Sequence, residues 1–273
     1  MEQGKLYIVA TPIGNLEDIT LRAIKILKKV DIIAAEDTRH TLKLLNHLEI
    51  SKSLISYHRH NEETKTDSLI KKMKEGKDIA LVSDAGTPGI CDPGEEVIKK
   101  CIKEKIDIIP IPGACAMVNA LIASGISTKE FTFLGFLPLN KKYRREKLQE
   151  IENMKNTVIL YEAPHKLSNT LKDLEKIIQD RNIVLAREIT KIHEEFIRGN
   201  IQTLLEVSKG IKGEIVLIIE GNDNIKYKNE FENLTIEEHY EYYEKKGLDK
   251  KEIIKKIAKD RNVNKNEIYK EFI

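Results

Sequence analysis

Runs rich in Val and Ile recur at residues 5–13, 31–35, 79–83 and 106–111, and the stretches between them carry apolar residues at helical spacing, such as Leu21, Ile24 and Leu27. Short apolar runs alternating with helical periodicity predict strands alternating with helices, the pattern of a parallel α/β layer. A second series follows at 131–136, 158–161, 183–186 and 215–219, with a hairpin around 196–201. Between the two series Pro110 and Pro112 bracket Ile111 and are followed by Gly113. Such a pair stops both a helix and a central strand. The expectation is an α/β chain of two domains, 1–112 and 113–222.

After Glu220-Gly221-Asn222 the character changes: residues 223–234 have a linker's polarity, and from Thr235 onward the pattern reads helical. Asp249-x-x-Glu252 and Asn264-x-x-Glu267 each resemble a capping box. Ile253, Ile254, Ile257 and Ala258 make one apolar stripe, and Ile268, Tyr269 and Phe272 another. With a turn at Arg261-Asn262-Val263 these predict a small helix-turn-helix-like module within 223–273.

Composition narrows the function classes. The 273 residues are 41% apolar and 33% charged, and no stretch approaches the roughly 20 apolar residues of a membrane span. The first apolar run meets Thr11-Pro12 too soon for a signal peptide, so a cytoplasmic protein is expected. Cys91, Cys101 and Cys115 show no metal-ligand or disulfide spacing, and no metal is expected. The net charge of +2 is far from the balance of a general nucleic-acid binder, so any RNA footprint must be a local patch.

The most informative segment is Ser83-Asp84-Ala85-Gly86-Thr87-Pro88-Gly89-Ile90-Cys91-Asp92-Pro93-Gly94, directly after an apolar run. In open α/β sheets ligands bind outside the carboxyl ends of strands, and glycines let backbone approach them. The loop lacks both the P-loop and the G-x-G-x-x-G spacing, which removes the usual cradle for ATP or NAD. Thr11-Pro12-Ile13-Gly14-Asn15-Leu16 after the first run and Pro112-Gly113-Ala114-Cys115-Ala116 after the break are similar elements. The second of these begins a helix whose free amides suit a carboxylate. Three such loops can converge on one crevice.

These segments, with Ala35-Glu36-Asp37-Thr38-Arg39, Tyr57-His58-Arg59-His60-Asn61-Glu62, Tyr161-Glu162-Ala163-Pro164-His165-Lys166-Leu167 and Gly213-Glu214-Ile215-Val216, strongly resemble the ribosomal RNA small subunit methyltransferase I family, within the tetrapyrrole-methylase-like (class III) methyltransferases. The likeness spans residues 5–221 and the helical tail. It implies two α/β domains with S-adenosylmethionine in the cleft between them, a homodimer, and 2′-O-methylation of cytidine 1402 in 16S rRNA of the small ribosomal subunit. Carried over position by position, it implies a donor site of Pro12, Asp84, Ala85, Gly86, Thr87, Pro88, Ala114, Cys115 and Ala116, completed by Tyr161, Glu162, Ala163, Gly213 and Glu214.

A ribose hydroxyl attacks only when its proton is taken or its oxygen accurately aligned. Candidates for that task are Glu36, Asp37 and Arg39, and His58, His60, Asn61 and Glu62. His60 suits proton transfer near neutral pH, and Asp37 is placed to orient it or to act itself. Against this, Asp37 is also what the start of a helix over 38–48 requires as a cap. For phosphate contact the run Lys141, Lys142, Arg144, Arg145 and Lys147, with Tyr143 among the cations, is the expected patch, joined by Arg39. The same run also fits a solvated helix face. Two other functions fit parts of the pattern: methylation of a small tetrapyrrole, and a non-catalytic RNA-binding or assembly role.

Overall fold

The computed structural model describes residues 2–178, 180–222, 231, 234–261 and 263–272. Its first sheet comprises β1 (Leu6–Val9), β2 (Ile32–Ala35), β3 (Ser53–Ser56), β4 (Ile79–Val82) and β5 (Ile108–Ile111). The order is β3-β2-β4-β1-β5, and every pairing is parallel. Four helices connect these strands: α1 (Leu21–Lys29), α2 (Thr38–His47), α3 (Glu62–Lys74) and α4 (Glu95–Lys103). All four residues of β1 and of β4 are buried, because central parallel strands are covered on both faces and therefore read as continuous apolar runs. Successive side chains alternate in direction: Leu6 and Ile8 pack with Leu69 and Met73 of α3 and Val97 of α4, while Tyr7 and Val9 pack with Ala23 and Leu27 of α1 and Leu45 of α2. Pro110 lies inside β5, which is an edge strand and tolerates a residue without an N–H.

The chain leaves β1 toward β2 on one side and leaves β4 toward β5 on the other, so the strand order reverses between β1 and β4. Crevices at such a switch point are where open α/β sheets bind ligands.

The second sheet contains β6 (Phe131–Phe136), β7 (Thr157–Glu162), β8 (Ile183–Arg187), β9 (Glu195–Gly199) and β10 (Ile215–Ile219), in the order β6-β7-β10-β8-β9. Only β6 and β7 are parallel; β10 runs antiparallel to both of its neighbours and β9 to β8, so this sheet is mixed. One face is covered by α5 (Ala116–Ser124) through Ala120 and Leu121. The other is covered by α6 (Lys141–Glu152), α7 (Pro164–Ile178) and α8 (Ile201–Val207), through Ile151, Leu167, Leu171 and Leu204. The expected hairpin is that of β8 with β9, and Ile201 already belongs to α8.

Residues Met1–Asn222 form one compact unit and Asp223–Ile273 another. In the second, α9 (Ile236–Glu244), α10 (Lys250–Asp260) and α11 (Lys265–Lys270) close around Tyr243, Ile253, Ile254, Ile257 and Ile268. Reciprocal capping boxes start α9 at Thr235/Glu238 and α10 at Asp249/Glu252. At Asn264 the side chain instead accepts from the Asn266 N–H at 3.0 Å. Most of the linker expected over 223–234, and Asn262 of the expected turn, lie outside the described residues. No described helix is long and apolar enough to cross a membrane.

Candidate active site

Hydrogen bonds stitch the three loops together. Thr11 and Gly86 exchange backbone bonds of 2.8 and 3.0 Å, joining the end of β1 to the loop after β4. The Thr11 hydroxyl donates to the Ser83 carbonyl at 3.1 Å. Thr87 Oγ1 in turn donates to the Ala114 carbonyl at 3.1 Å, tying in the segment before α5. Gly86 makes this possible with φ +81°, and a Cβ there would sit 3.3 Å from the Ile13 side chain.

Facing these loops is the second sheet. A cavity of about 450 Å³ opens between them, lined on one side by Ile13, Asp84, Ala85, Gly86, Thr87, Cys115 and Ala116 and on the other by Phe136, Tyr161, Glu162, Ala163, Gly213, Glu214 and Val216. Of the donor-site residues implied by the family resemblance, Pro12, Pro88 and Ala114 do not line it; Pro12 and Ala114 flank residues that do or are tied to them, and Pro88 is buried within its loop. The Tyr161 hydroxyl accepts the Met117 N–H of the first turn of α5 at 3.2 Å, so the two sides meet there. Burial pushes the Tyr161 phenol well above its ordinary pKa, with the Cys115 thiol adding to the shift.

Glu162 is buried, accepts the Ala163 N–H at 2.8 Å with one oxygen and the Thr170 hydroxyl with the other. Thr170 Oγ1 also receives Arg144 Nη2 at 2.9 Å, and Arg144 Nε reaches Asp173 at 2.9 Å. Arg144, expected among the RNA-facing cations, turns its guanidinium toward Thr170 and Asp173, and its side chain is only 20% exposed. Arg144, Leu148 and Ile151 fall four and three residues apart along α6, so the helical stripe carries this signal in the sequence itself. Lys141, Lys142 and Arg145 are exposed, and Lys147 pairs with Glu150 at 2.5 Å.

At the other end of the cavity three carboxylates gather: Glu36 after β2, and Asp84 and Asp92 in the loop after β4. Asp84 Oδ1 accepts the Asp37 N–H at 2.9 Å, which anchors the end of β2 to that loop. The Asp37 side chain caps α2 through the Arg39 N–H at 2.8 Å and holds the Arg39 guanidinium in a forked pair of 3.1 and 2.7 Å. The Arg39 guanidinium holds the Asp37 carboxyl below the usual carboxylate range. Asp37 thus serves as cap and Arg39 is engaged with it, outside the cavity lining. His60 is exposed, 6.0 Å from His58 between ring centroids, and is also outside the lining. The residue that sequence reasoning left without a role is Asp92, which the fold turns into the cavity.

Among the described residues no group of three or more His, Cys, Asp or Glu is arranged to hold a metal ion.

Residues 5–205 match the family model described as tetrapyrrole (corrin/porphyrin) methylases. The chain is 52% identical to the ribosomal RNA small subunit methyltransferase I of Halalkalibacterium halodurans, over 98% of this chain and 94% of that protein. It belongs to the tetrapyrrole methylase family, in its ribosomal RNA small subunit methyltransferase I branch. The Bacillus subtilis protein of that name is 49% identical over the same shares of the two chains. Among solved structures, a uroporphyrin-III C-methyl transferase from Thermus thermophilus, complexed with S-adenyl homocysteine, superposes with a TM-score of 0.58 at 14% identity, covering 80% of this chain and 97% of that one. The tetrapyrrole methylase fold is therefore present, with the two sheets flanking the cavity just described.

Proposed function

We propose that this chain transfers a methyl group from S-adenosylmethionine to the ribose 2′-oxygen of cytidine 1402 in 16S rRNA of the small ribosomal subunit, acting in the cytoplasm as a homodimer. The observation that carries the reading is a cavity in which the loops after β4 and before α5 face Tyr161, Ala163 and Gly213, in a chain about half identical over nearly its full length to proteins named ribosomal RNA small subunit methyltransferase I.

The residues present suit the donor. A cavity of about 450 Å³ falls in the usual range of about 300–1,000 Å³ for small-molecule sites. Ala85, Gly86 and Thr87, the start of α5 at Cys115 and Ala116, and Ala163 with Gly213 and Glu214 would hold it. When bound, S-adenosylmethionine supplies an electrophilic methyl carbon on a cationic sulfur, a charge that Glu36 and Asp84 favour. The loop pairing of Thr11 with Gly86 and of Thr87 with Ala114 fixes the wall in advance, which reduces the ordering cost of binding.

On the acceptor side, residues 1–112 contribute the carboxylate end of the cavity and 113–222 the aromatic wall of Phe136 and Tyr161. Exposed Lys141, Lys142 and Arg145 on α6 supply phosphate contacts, and exposed Tyr143 a stacking surface. Val118 and Ile122, one turn apart on α5, are exposed apolar residues and support a contact between two copies.

The test is incubation of the protein with unmethylated small subunits and S-adenosylmethionine, followed by mass mapping of the rRNA. One methyl group at cytidine 1402 that makes its phosphodiester resistant to alkali is expected, since that cleavage needs a free 2′-hydroxyl. A methyl group on a base, or none, would refute the assignment. Sedimentation of the protein alone checks the dimer.

A further inference from the structure

The loop that carries Asp92 is held more firmly than a surface turn requires. Cys91 has φ +63°, unusual for a residue with a side chain and costing about 1–3 kcal/mol unless its surroundings enforce it. Two residues of the segment after β3 enforce it. The Arg59 guanidinium donates to the Cys91 carbonyl, and Glu62 Oε1 accepts the Gly94 N–H at 2.9 Å. From the second sheet, β6 presses on the same loop: at Gly135, where the pairing of β6 with β7 is irregular, an added Cβ would lie 2.8 Å from Cys91 Sγ. Asp92 is thus fixed between two pinned neighbours and faces the cavity.

Each of the three carboxylates there accepts a hydrogen bond, Asp92 from the Ser83 hydroxyl. Asp84 Oδ1 takes the Asp37 N–H, and Glu36 takes a bond from the Asp84 backbone. We propose that Asp92 is the catalytic base that receives the proton of the acceptor hydroxyl, and that Arg59 and Glu62 are positioning residues that hold its loop. This rests on the 2′-O-ribose reading above. The ribose oxygen gives its proton to the Asp92 carboxylate and forms its bond to the methyl carbon. The carbon–sulfur bond of the sulfonium donor breaks with its electron pair left on sulfur, giving a neutral thioether, and Asp92 then returns the proton to solvent.

The surroundings of Asp92 suit that task. Burial first, then the nearby Glu36 carboxylate, push its pKa up to about 6; Arg59 opposes the shift and Asp84 adds to it. The Ser83 hydroxyl also opposes it, and Tyr161 faces Asp92 from β7. A base that has lost its proton at neutral pH yet binds one more tightly than an ordinary aspartate is well matched to the transfer.

The experiment measures single-turnover methylation of unmethylated small subunits from pH 5 to 9, with S-adenosylmethionine affinity by calorimetry, for the full-length wild type, Asp92→Asn, Arg59→Ala and Glu62→Ala. The wild-type rate should rise with pH through about 6 and then level. Asp92→Asn should lose about 10²-fold or more in rate, keep donor affinity within about threefold, and lose the break near pH 6. Arg59→Ala should move that break to higher pH, because a cation that favoured the carboxylate is gone, and Glu62→Ala should lower the rate with donor affinity kept. An Asp92→Asn rate within threefold of wild type, or an unmoved break in it, overturns the assignment. If Asp92→Asn fails to bind donor, an unmoved break in Arg59→Ala overturns it. Wild-type transfer to a base nitrogen would instead fail the parent reading, whereas ribose methylation with full Asp92→Asn activity fails Asp92 alone.

Discussion

Arg144 offers the sharpest test of how the cavity wall is built, because a surface cation and a wall support predict opposite outcomes. Its guanidinium makes two bonds of 2.9 Å, to Asp173 and to Thr170, whose hydroxyl continues to Glu162. Thr170 is fully buried and Glu162 nearly so. Hydrogen bonds to charged groups contribute about 1.5–3 kcal/mol each when buried. Asp173 is 30% exposed and keeps Lys176 at 3.3 Å, so it is not left bare when Arg144 is removed. Arg144→Ala should therefore cost about 2 kcal/mol, or a fall in Tm of about 4–8 °C in a unit of this size. It should also weaken S-adenosylmethionine binding several-fold, since the Glu162–Ala163 backbone loses its brace. Arg145→Ala, on an exposed position of the same helix, should leave Tm and donor affinity unchanged while weakening RNA binding and reducing its salt dependence by about one counterion. Thermal unfolding, donor calorimetry and RNA titration at several salt concentrations separate the two. An Arg144→Ala protein with wild-type Tm and donor affinity but the RNA defect of Arg145→Ala would refute the bracing role.

Gly86→Val should abolish donor binding, measured by calorimetry, because φ +81° is strained for a β-branched residue and its Cβ would meet Ile13 at 3.3 Å. Asp92→Asn should stabilise the protein at pH 7.5. The carboxyl binds its proton more tightly folded (about 6) than an ordinary aspartate does (3.8), so this contribution to stability is complete below the unfolded pKa and is lost as pH rises through the folded one. At 1.36 kcal/mol per unit the gain on removing the charge is bounded at about 3 kcal/mol. Urea unfolding should show that gain shrinking toward pH 4; an equal gain at both pH values would contradict the assigned cause. Asp249→Ala removes a reciprocal capping box and should cost the helical unit about 1 kcal/mol, seen as faster amide exchange in α10.

The strands with the plainest signal in sequence are those buried on both faces, although the edge strands β5 and β6, half-exposed, could also be read from their apolar runs. β1, β4 and β10 are entirely buried, and each is an unbroken apolar run. The strand β3 is Ser-Leu-Ile-Ser at the sheet edge, half-exposed, and so lacks that signature. The direction of β10 had no signal at all: burial dictates composition, and an antiparallel neighbour buries a strand as well as a parallel one does. The loops were legible because glycine and proline mark strand ends, and Gly86 and Thr87 do line the cavity. The side chains around them were not so legible, since a charge at a strand end has the same sequence appearance whether it caps a helix, as Asp37 does, or faces the cavity, as Asp92 does.

The contrast between Asp37 and Asp92 shows how one fold sets two carboxylates to opposite tasks. Asp37 sits at a helix start beside a guanidinium and stays ionised, so its function is to hold Arg39 and, through its N–H, Asp84. Asp92 lies half-buried in the cavity wall with two other carboxylates near, so ionisation is costly and a proton is readily taken. The first arrangement gives up proton affinity for rigidity at the end of β2. The second keeps proton affinity at the expense of stability, and it stays in place because Arg59 and Glu62 fasten the loop on either side. Cutting either fastening should therefore relax Cys91 out of its strained conformation and lower the rate while leaving the donor wall, built from Thr11, Gly86 and Ala114, undisturbed.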